Sequence, residues 1–195
     1  MPSKSSSKPY HHGDLAASLR AAALDLLEAE GLAALSLRSV ARRAGVSHAA
    51  PYRHYASREA LLADVALQGL RELQSEIAHA AAKKGDQGER IVQIGGAYLR
   101  YAVSHTGLIR LMFGSELPHR AETPGLAAAT AAIGEEIGRA LDDSAMGLTV
   151  WALIHGLTVM LLDDVIDLGQ RQSGLQAMPT RAEILLRSLV ESLRE

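Results

Sequence analysis

Apolar positions in this chain recur at intervals of three and four residues, the spacing that lines up one face of a helix. The first such stripe is Leu15, Leu19, Ala22, Ala23, Leu26 and Leu27. It predicts a helix over 14–30, capped by Asp14 and stopped at Gly31. After the apolar connector Leu32 to Leu35, Ser36 can cap a second helix whose inner face is Leu37, Val40, Ala41 and Ala44. Gly45 stands where the chain must turn, a place for positive φ. Ser47 then caps a short helix over 48–54, in which Pro51 is tolerable because it falls near the first turn. Ser57 opens a long helix over 58–83, and the breaker-rich run Lys83-Lys84-Gly85-Asp86-Gln87-Gly88 reads as a linker. Beyond it no alternating, strand-like run occurs. The periodicity predicts helices over 88–104, 107–113, 125–141, 145–168 and 180–194, so the fold class is all-α.

Charge sharpens one part of that pattern. The whole chain has a net charge of only −2, yet residues 36–58 hold five arginines and no acid, and nothing between Glu30 and Glu59 is negative. Residues 1–58 carry 8 basic and 4 acidic side chains, whereas 59–195 carry 12 and 18. DNA attracts the first part and repels the second. Two short helices hinged at a glycine and covered in arginine form the footprint of a helix-turn-helix, with the second helix in the major groove.

Residues 10–72, and 36–58 above all, resemble the DNA-binding domain of the TetR family of bacterial transcriptional regulators. The matching residues are Leu37-Arg38, Val40-Ala41, Ala44-Gly45-Val46-Ser47, Tyr52, His54, Tyr55 and Arg58. Two positions depart from the family pattern. Pro51 replaces an apolar core residue, and Arg58 stands where lysine is commoner. The resemblance implies that Arg38, Ser47, His48 and Ala49 reach base edges, while Ser36, Arg42, Tyr52, Arg53, His54 and Arg58 hold phosphates. Arg42 and Arg43 equally suit a solvated face. The polar arm of residues 1–9, with Lys4 and Lys8, reads as a flexible terminus or as a basic tail on the duplex.

The resemblance implies that the second part, residues 73–195, binds an effector, and this part is also expected to dimerise. Its most informative stretch is 149–162, which is apolar nearly all round and therefore suits a helix shared with a partner surface. The expected contact is a symmetric four-helix bundle involving Trp151, Gly156, Leu161, Leu185 and Leu189. Trp151-x-x-x-His155-Gly156 resembles the signature of the TetR branch with a WHG-type C-terminal domain, as do Leu111-Met112-Phe113-Gly114 and Tyr10-His11-His12-Gly13-Asp14. Tyr98, Tyr101, Met112, Phe113, Trp151, His155 and Met160 are candidates for an apolar effector pocket, although each also suits plain core packing. Asp163, Asp164 and Asp167 read as a solvated helix end.

Several classes are disfavoured. With no cysteine there are no disulfides or thiolate metal sites, which fits a reducing cytoplasm. Adjacent His11 and His12 lack a third ligand, so no metal and no cofactor are expected. No signal peptide is visible, and no run of about 18 apolar residues is expected to span a membrane. No phosphate loop, HExxH or nucleophile elbow occurs, so no enzyme is expected. The expected protein is a cytoplasmic homodimeric regulator, more a repressor than an activator. Its partners are a pseudo-palindromic double-stranded operator and an unidentified small-molecule effector. The rivals are a helical enzyme built around His155, or a module whose helix-turn-helix contacts protein only.

Overall fold

The computed structural model describes residues 15–117, 123–167 and 177–192, apart from the side chains of Met178, Leu189 and Ser192. All regular structure among the described residues is helical. The arm of residues 1–9, the Tyr10 to Asp14 motif and its Asp14 cap lie outside the described residues. The chain divides into two compact units, the first ending at Leu61 and the second beginning at Leu62.

In the first unit, helix α1 (Leu15–Glu30) buries Leu19, Ala22, Ala23, Leu26 and Leu27, as its periodicity requires. Gly31 takes φ 79° and leads into a 3-10 turn, Leu32–Ala34. Helix α2 (Leu37–Arg43) buries Leu37, Val40 and Ala41 against α1. Both helix ends have a physical cause. At the start, Ser36 Oγ accepts the Ser39 amide at 3.0 Å and Ser39 Oγ accepts the Ser36 amide at 2.8 Å. Such reciprocal capping contributes about 1 kcal/mol. At the end, Gly45 sits at φ 68°, with its amide on Arg42 O at 3.2 Å and the Val46 amide on Ala41 O at 3.0 Å. These bonds and the left-handed glycine make a Schellman stop.

The segment expected as a second full helix is shorter. Residues 48–50 form a turn and only Pro51–Arg53 is helical, as a 3-10 turn. The reason is Pro51, which has no amide to bond back to Ser47 O. The bonds therefore run three residues apart, from Ala50 to Ser47 O and from Arg53 to Ala50 O. Pro51 is itself buried and occupies the core position that its sequence context assigns it.

The second unit begins inside α3 (Arg58–Ala81), which buries Leu62, Val65, Leu70, Leu73 and Ile77. It continues with α4 (Gln87–Ser104), α5 (Thr106–Phe113), α6 (Leu126–Ala140), α7 (Ser144–Leu162) and α8 (Met178–Ser192). Helix α4 is central and packs on α5, α7 and α8, while α6 lies along α7. Gln87 and Arg90 reach from α4 to carbonyls at the end of α6, Leu141 O at 3.1 Å and Ala140 O at 3.1 Å. Helix α7 ends at Leu162, short of the expected 168. Asp164 turns left-handed at φ 54° and the Val165 amide returns to Met160 O at 2.9 Å, which closes the helix.

Helix α7 also bears on the membrane expectation. With 19 residues and a mean hydropathy of 1.8, it is long and apolar enough to cross a bilayer by length and composition. Its inner side instead packs on α4 and α6 within the second unit. Its outer side exposes Leu148, Leu153, Val159 and Met160.

Candidate nucleic-acid interface and effector cavity

The buried stripe of α2 and the inward Pro51 and Tyr55 turn the opposite side chains outward. Arg38, Arg42, Ser47, His48, Ala49, Tyr52, Arg53 and His54 are all exposed. Tyr52 is 56% exposed. An aromatic body with a polar tip, held open to solvent on a compact unit, suits lying along a nucleic-acid backbone. Arg38, Arg42 and Arg53 have no ion-pair partner among the described residues, so three full charges are available.

The other two arginines of the stretch are engaged internally. Arg43 pairs with Asp25 and with Glu30 at 2.6 Å, both from α1, which cancels its charge. Arg58 is half-buried, and its Nε and Nη2 donate to Leu35 O at 2.7 Å and Leu32 O at 2.9 Å. Those carbonyls belong to the connector between α1 and α2. Arg58 therefore clamps that connector, a structural task that its reading as a phosphate anchor did not include. Ser36 and Ser39 are likewise occupied in capping, so Ser36 has a structural task of its own. Sequence reasoning missed Ser39, although its spacing of three residues from Ser36 was the signal.

In the second unit the structure brings together Tyr98, Phe113, Trp151 and His155. Tyr98 is fully buried, and its hydroxyl lies 2.8 Å from His155 Nδ1. The ring of Phe113 lies 4.6 Å from that of His155 and 6.0 Å from that of Trp151, edge on. A cavity of about 290 Å³ opens beside this group. Ile109, Phe113, Val159 and Leu162 form its apolar wall, with Gly114 and His155, and Arg110 and Asp163 line it as well. Arg110 Nη2 pairs with Asp163 Oδ1 at 2.8 Å and donates to Leu162 O at 3.2 Å.

Three of the expected pocket residues stand elsewhere. Tyr101 donates to Gly69 O at 3.2 Å and stacks on His105 at 4.5 Å, and Met112 is fully buried beside Gly69. Met160 is 42% exposed, on the outer side of α7. Tyr98 and Trp151 stand behind the cavity and support His155. The expected dimer residues also divide. Leu161 is buried in its own chain against Leu99, Val103 and Ala182, so it cannot meet a partner. Trp151 is half-buried near Phe113 and Gly134, whereas Gly156 and Leu185 are exposed. The side chain of Leu189 lies outside the described residues.

Burial holds His155 below the ordinary histidine value of 6.5 and pushes the Tyr98 hydroxyl far above the tyrosine range. A histidine whose folded pKa is depressed binds its proton more readily in the unfolded chain. Its contribution to stability is complete above the unfolded value and falls as pH drops below it. The urea midpoint is expected to be lower at about pH 5.5 than at about pH 7.5, and His155→Gln is expected to narrow that gap. A gap of equal size in the variant would remove His155 as its source.

An acid-free, arginine-bearing helix-turn-helix on a compact first unit, followed by an all-helical unit with a cavity, defines the class of helical DNA-binding regulators. Residues 19–65 match the family described as bacterial regulatory proteins, tetR family, and residues 91–189 match the tetracyclin repressor-like C-terminal domain. The chain belongs to the TetR family of transcriptional regulators, whose members are not enzymes. A protein with unknown function from Rhodococcus sp. RHA1 is 28% identical, with a TM-score of 0.68 over 93% of this chain and 98% of that one. A tetR-family regulatory protein from Rhodococcus RHA1 shares the fold at 21% identity, with a TM-score of 0.67 over 90% and 96%. So does the fatty acid degradation regulator FadR from Bacillus halodurans, at 12% identity and a TM-score of 0.68 over 91% and 97%. No curated protein matches the sequence.

Proposed function

We propose that this TetR-family chain is a cytoplasmic repressor that binds a pseudo-palindromic operator as a homodimer and is released by a small apolar effector. The observation that carries the reading is the exposed face of Arg38, Arg42, Ser47, His48, Tyr52, Arg53 and His54, opposite a buried apolar stripe. Arg38, Ser47, His48 and Ala49 are assigned to base edges; Arg42, Tyr52, Arg53 and His54 are assigned to phosphates. The exposed apolar residues of α7 and α8, among them Leu148, Leu153, Ile184 and Leu185, support dimerisation through these two helices. The cavity beside His155 is assigned to the effector. An effector acts by binding one arrangement of the two DNA units better than another. Helix α3, whose first turn ends the first unit, is the connecting element.

A gel-shift titration against duplexes bearing inverted repeats, run at several salt concentrations, tests this. Binding should weaken steeply with salt, and Arg42→Ala and Arg53→Ala should each flatten the log–log slope by about one. Arg38→Ala and His48→Ala should change base preference instead. Arg58→Ala should lower the thermal stability of the first unit while leaving the slope of the folded fraction unchanged. Affinity independent of salt would turn the reading toward a protein-contact module.

A further inference from the structure

We propose that the cavity beside His155 takes a neutral, largely apolar molecule whose one polar group is a carbonyl-type acceptor, held by His155 Nε2–H. This deepens the effector reading above and rests on it for its biological meaning. The binding claim itself needs no DNA.

The argument begins with a buried hydroxyl. Tyr98 is fully buried, and His155 Nδ1, at 2.8 Å, is its one hydrogen-bond partner among the described residues. A buried O–H left without an acceptor is costly, so the two possible polarities of this bond are unequal. Were Nδ1 to carry the ring proton, the tyrosine hydrogen would have no acceptor. The indole N–H of Trp151 is buried with no completed hydrogen bond, and it bears on the Tyr98 hydroxyl. That donor is compatible with the same direction, in which the Tyr98 hydroxyl donates to His155 Nδ1. The Trp151, Tyr98 and His155 groups therefore form a polarised relay that fixes His155 in the tautomer with hydrogen on Nε2.

Nε2 has no partner among the described residues, and His155 lines the cavity. Burial keeps the ring neutral near pH 7. The cavity thus presents one uncharged donor to an apolar wall of Ile109, Phe113, Val159 and Leu162. Its charged lining residues are already engaged with each other, since Arg110 is bonded to Asp163 and to Leu162 O. A carboxylate would face a guanidinium whose charge is compensated, and an ammonium would face a carboxylate equally compensated. A ketone, ester or lactone meets the lone donor and leaves no charge to bury. The cavity, partly open to solvent, offers about 290 Å³. At the volume of one liquid water molecule per atom, that space holds about ten non-hydrogen atoms.

Three probes of one chain length separate the possibilities: 2-nonanone, nonanoate and nonylamine. Trp151 is the only tryptophan and stands against Phe113 of the cavity wall, so its fluorescence in the full-length protein reports binding. The ketone is expected to bind at least about tenfold more tightly than either charged probe. His155→Phe should weaken the ketone by about tenfold or more and leave the charged probes at their weak level. His155→Gln, which keeps a donor, should preserve the ketone preference. Nonanoate binding as tightly as the ketone overturns the ligand class while leaving the cavity a binding site. No saturable response from any probe overturns the effector site as well. Independently of ligand and variants, a multiple-bond nitrogen–proton spectrum showing His155 with its hydrogen on Nδ1 overturns the relay.

Discussion

Replacing Gly147 with alanine is expected to cost about 3 kcal/mol or more, the largest loss from any single methyl group added to α7. A Cβ at this position would lie 2.7 Å from Gly134 O and closer still to the backbone nitrogen and Cα of Gly138. All three obstacles are main-chain atoms of α6, and none can rotate away as a side chain would. The approach is reciprocal: a Cβ on Gly138 would come within 2.9 Å of Ser144 Cα and 3.2 Å of Asp143 O. Helices α6 and α7 therefore cross backbone against backbone, and one methyl group must push a whole helix outward. That displacement also disturbs Trp151, which rests on Gly134, and so loosens the support behind His155. Urea unfolding should show the midpoint falling by about 1 M or more at the slopes usual for a domain of this size. Gly134→Ala is the control, because its Cβ would meet the Trp151 ring at 3.4 Å, an ordinary contact. It should change stability by less than about 1 kcal/mol, helix propensity offsetting the crowding. An unchanged midpoint for Gly147→Ala would refute the crossing.

That helix crossing was invisible in the sequence, and the contrast with the first unit explains why. Near Gly45 every determinant is local: a stripe of Leu37, Val40 and Ala41, a serine cap and a glycine at the turn all lie close together along the chain. Local signals fix local structure, so the cap, the positive φ and the buried face were legible. The extent of the following helix was not, because Pro51 both fills a core position and withholds the amide that an α-helix needs. Arginine identities were legible but their partners were not. Arg43 meets acids 13 and 18 residues away, and Arg58 meets carbonyls 23 and 26 residues away.

Helix α7 presents the opposite difficulty. An amphipathic helix announces its buried side, but one apolar all round gives no such direction. Leu161 and Leu153 look alike in sequence, yet Leu161 is fully buried in its own chain and Leu153 is 46% exposed. The pairing of Tyr98 with His155, 57 residues apart, is equally a matter of tertiary packing. Only the general idea of a Trp151/His155 cluster came from the chain itself. The wall of Ile109, Val159 and Leu162 came from the fold.

The exposed side of α7 leads to the second large effect. Leu153→Glu combined with Ile184→Glu is expected to yield a folded monomer whose affinity for a full inverted-repeat operator falls by roughly 10²–10⁴. Leu153 and Ile184 are 46% and 63% exposed, so charges there are solvated while the chain is alone and the second unit keeps its own core. In a twofold interface each substitution appears twice, and four carboxylates would have to be desolvated near one another. A few kilocalories per mole of such cost is enough to dissociate an ordinary dimer at micromolar concentration. The loss on DNA follows from geometry rather than from any change in the reading head. Two linked helix-turn-helix units bind the second half-site at a high effective concentration, and separated units do not. Affinity for an isolated half-site should therefore match that of the wild-type protein, which distinguishes lost dimerisation from lost folding. Sedimentation velocity supplies the mass and circular dichroism the helicity. A double variant that stays dimeric moves the interface off these two helices. One that is monomeric, yet grips the full operator as tightly as before, shows that twofold symmetry contributes nothing to recognition.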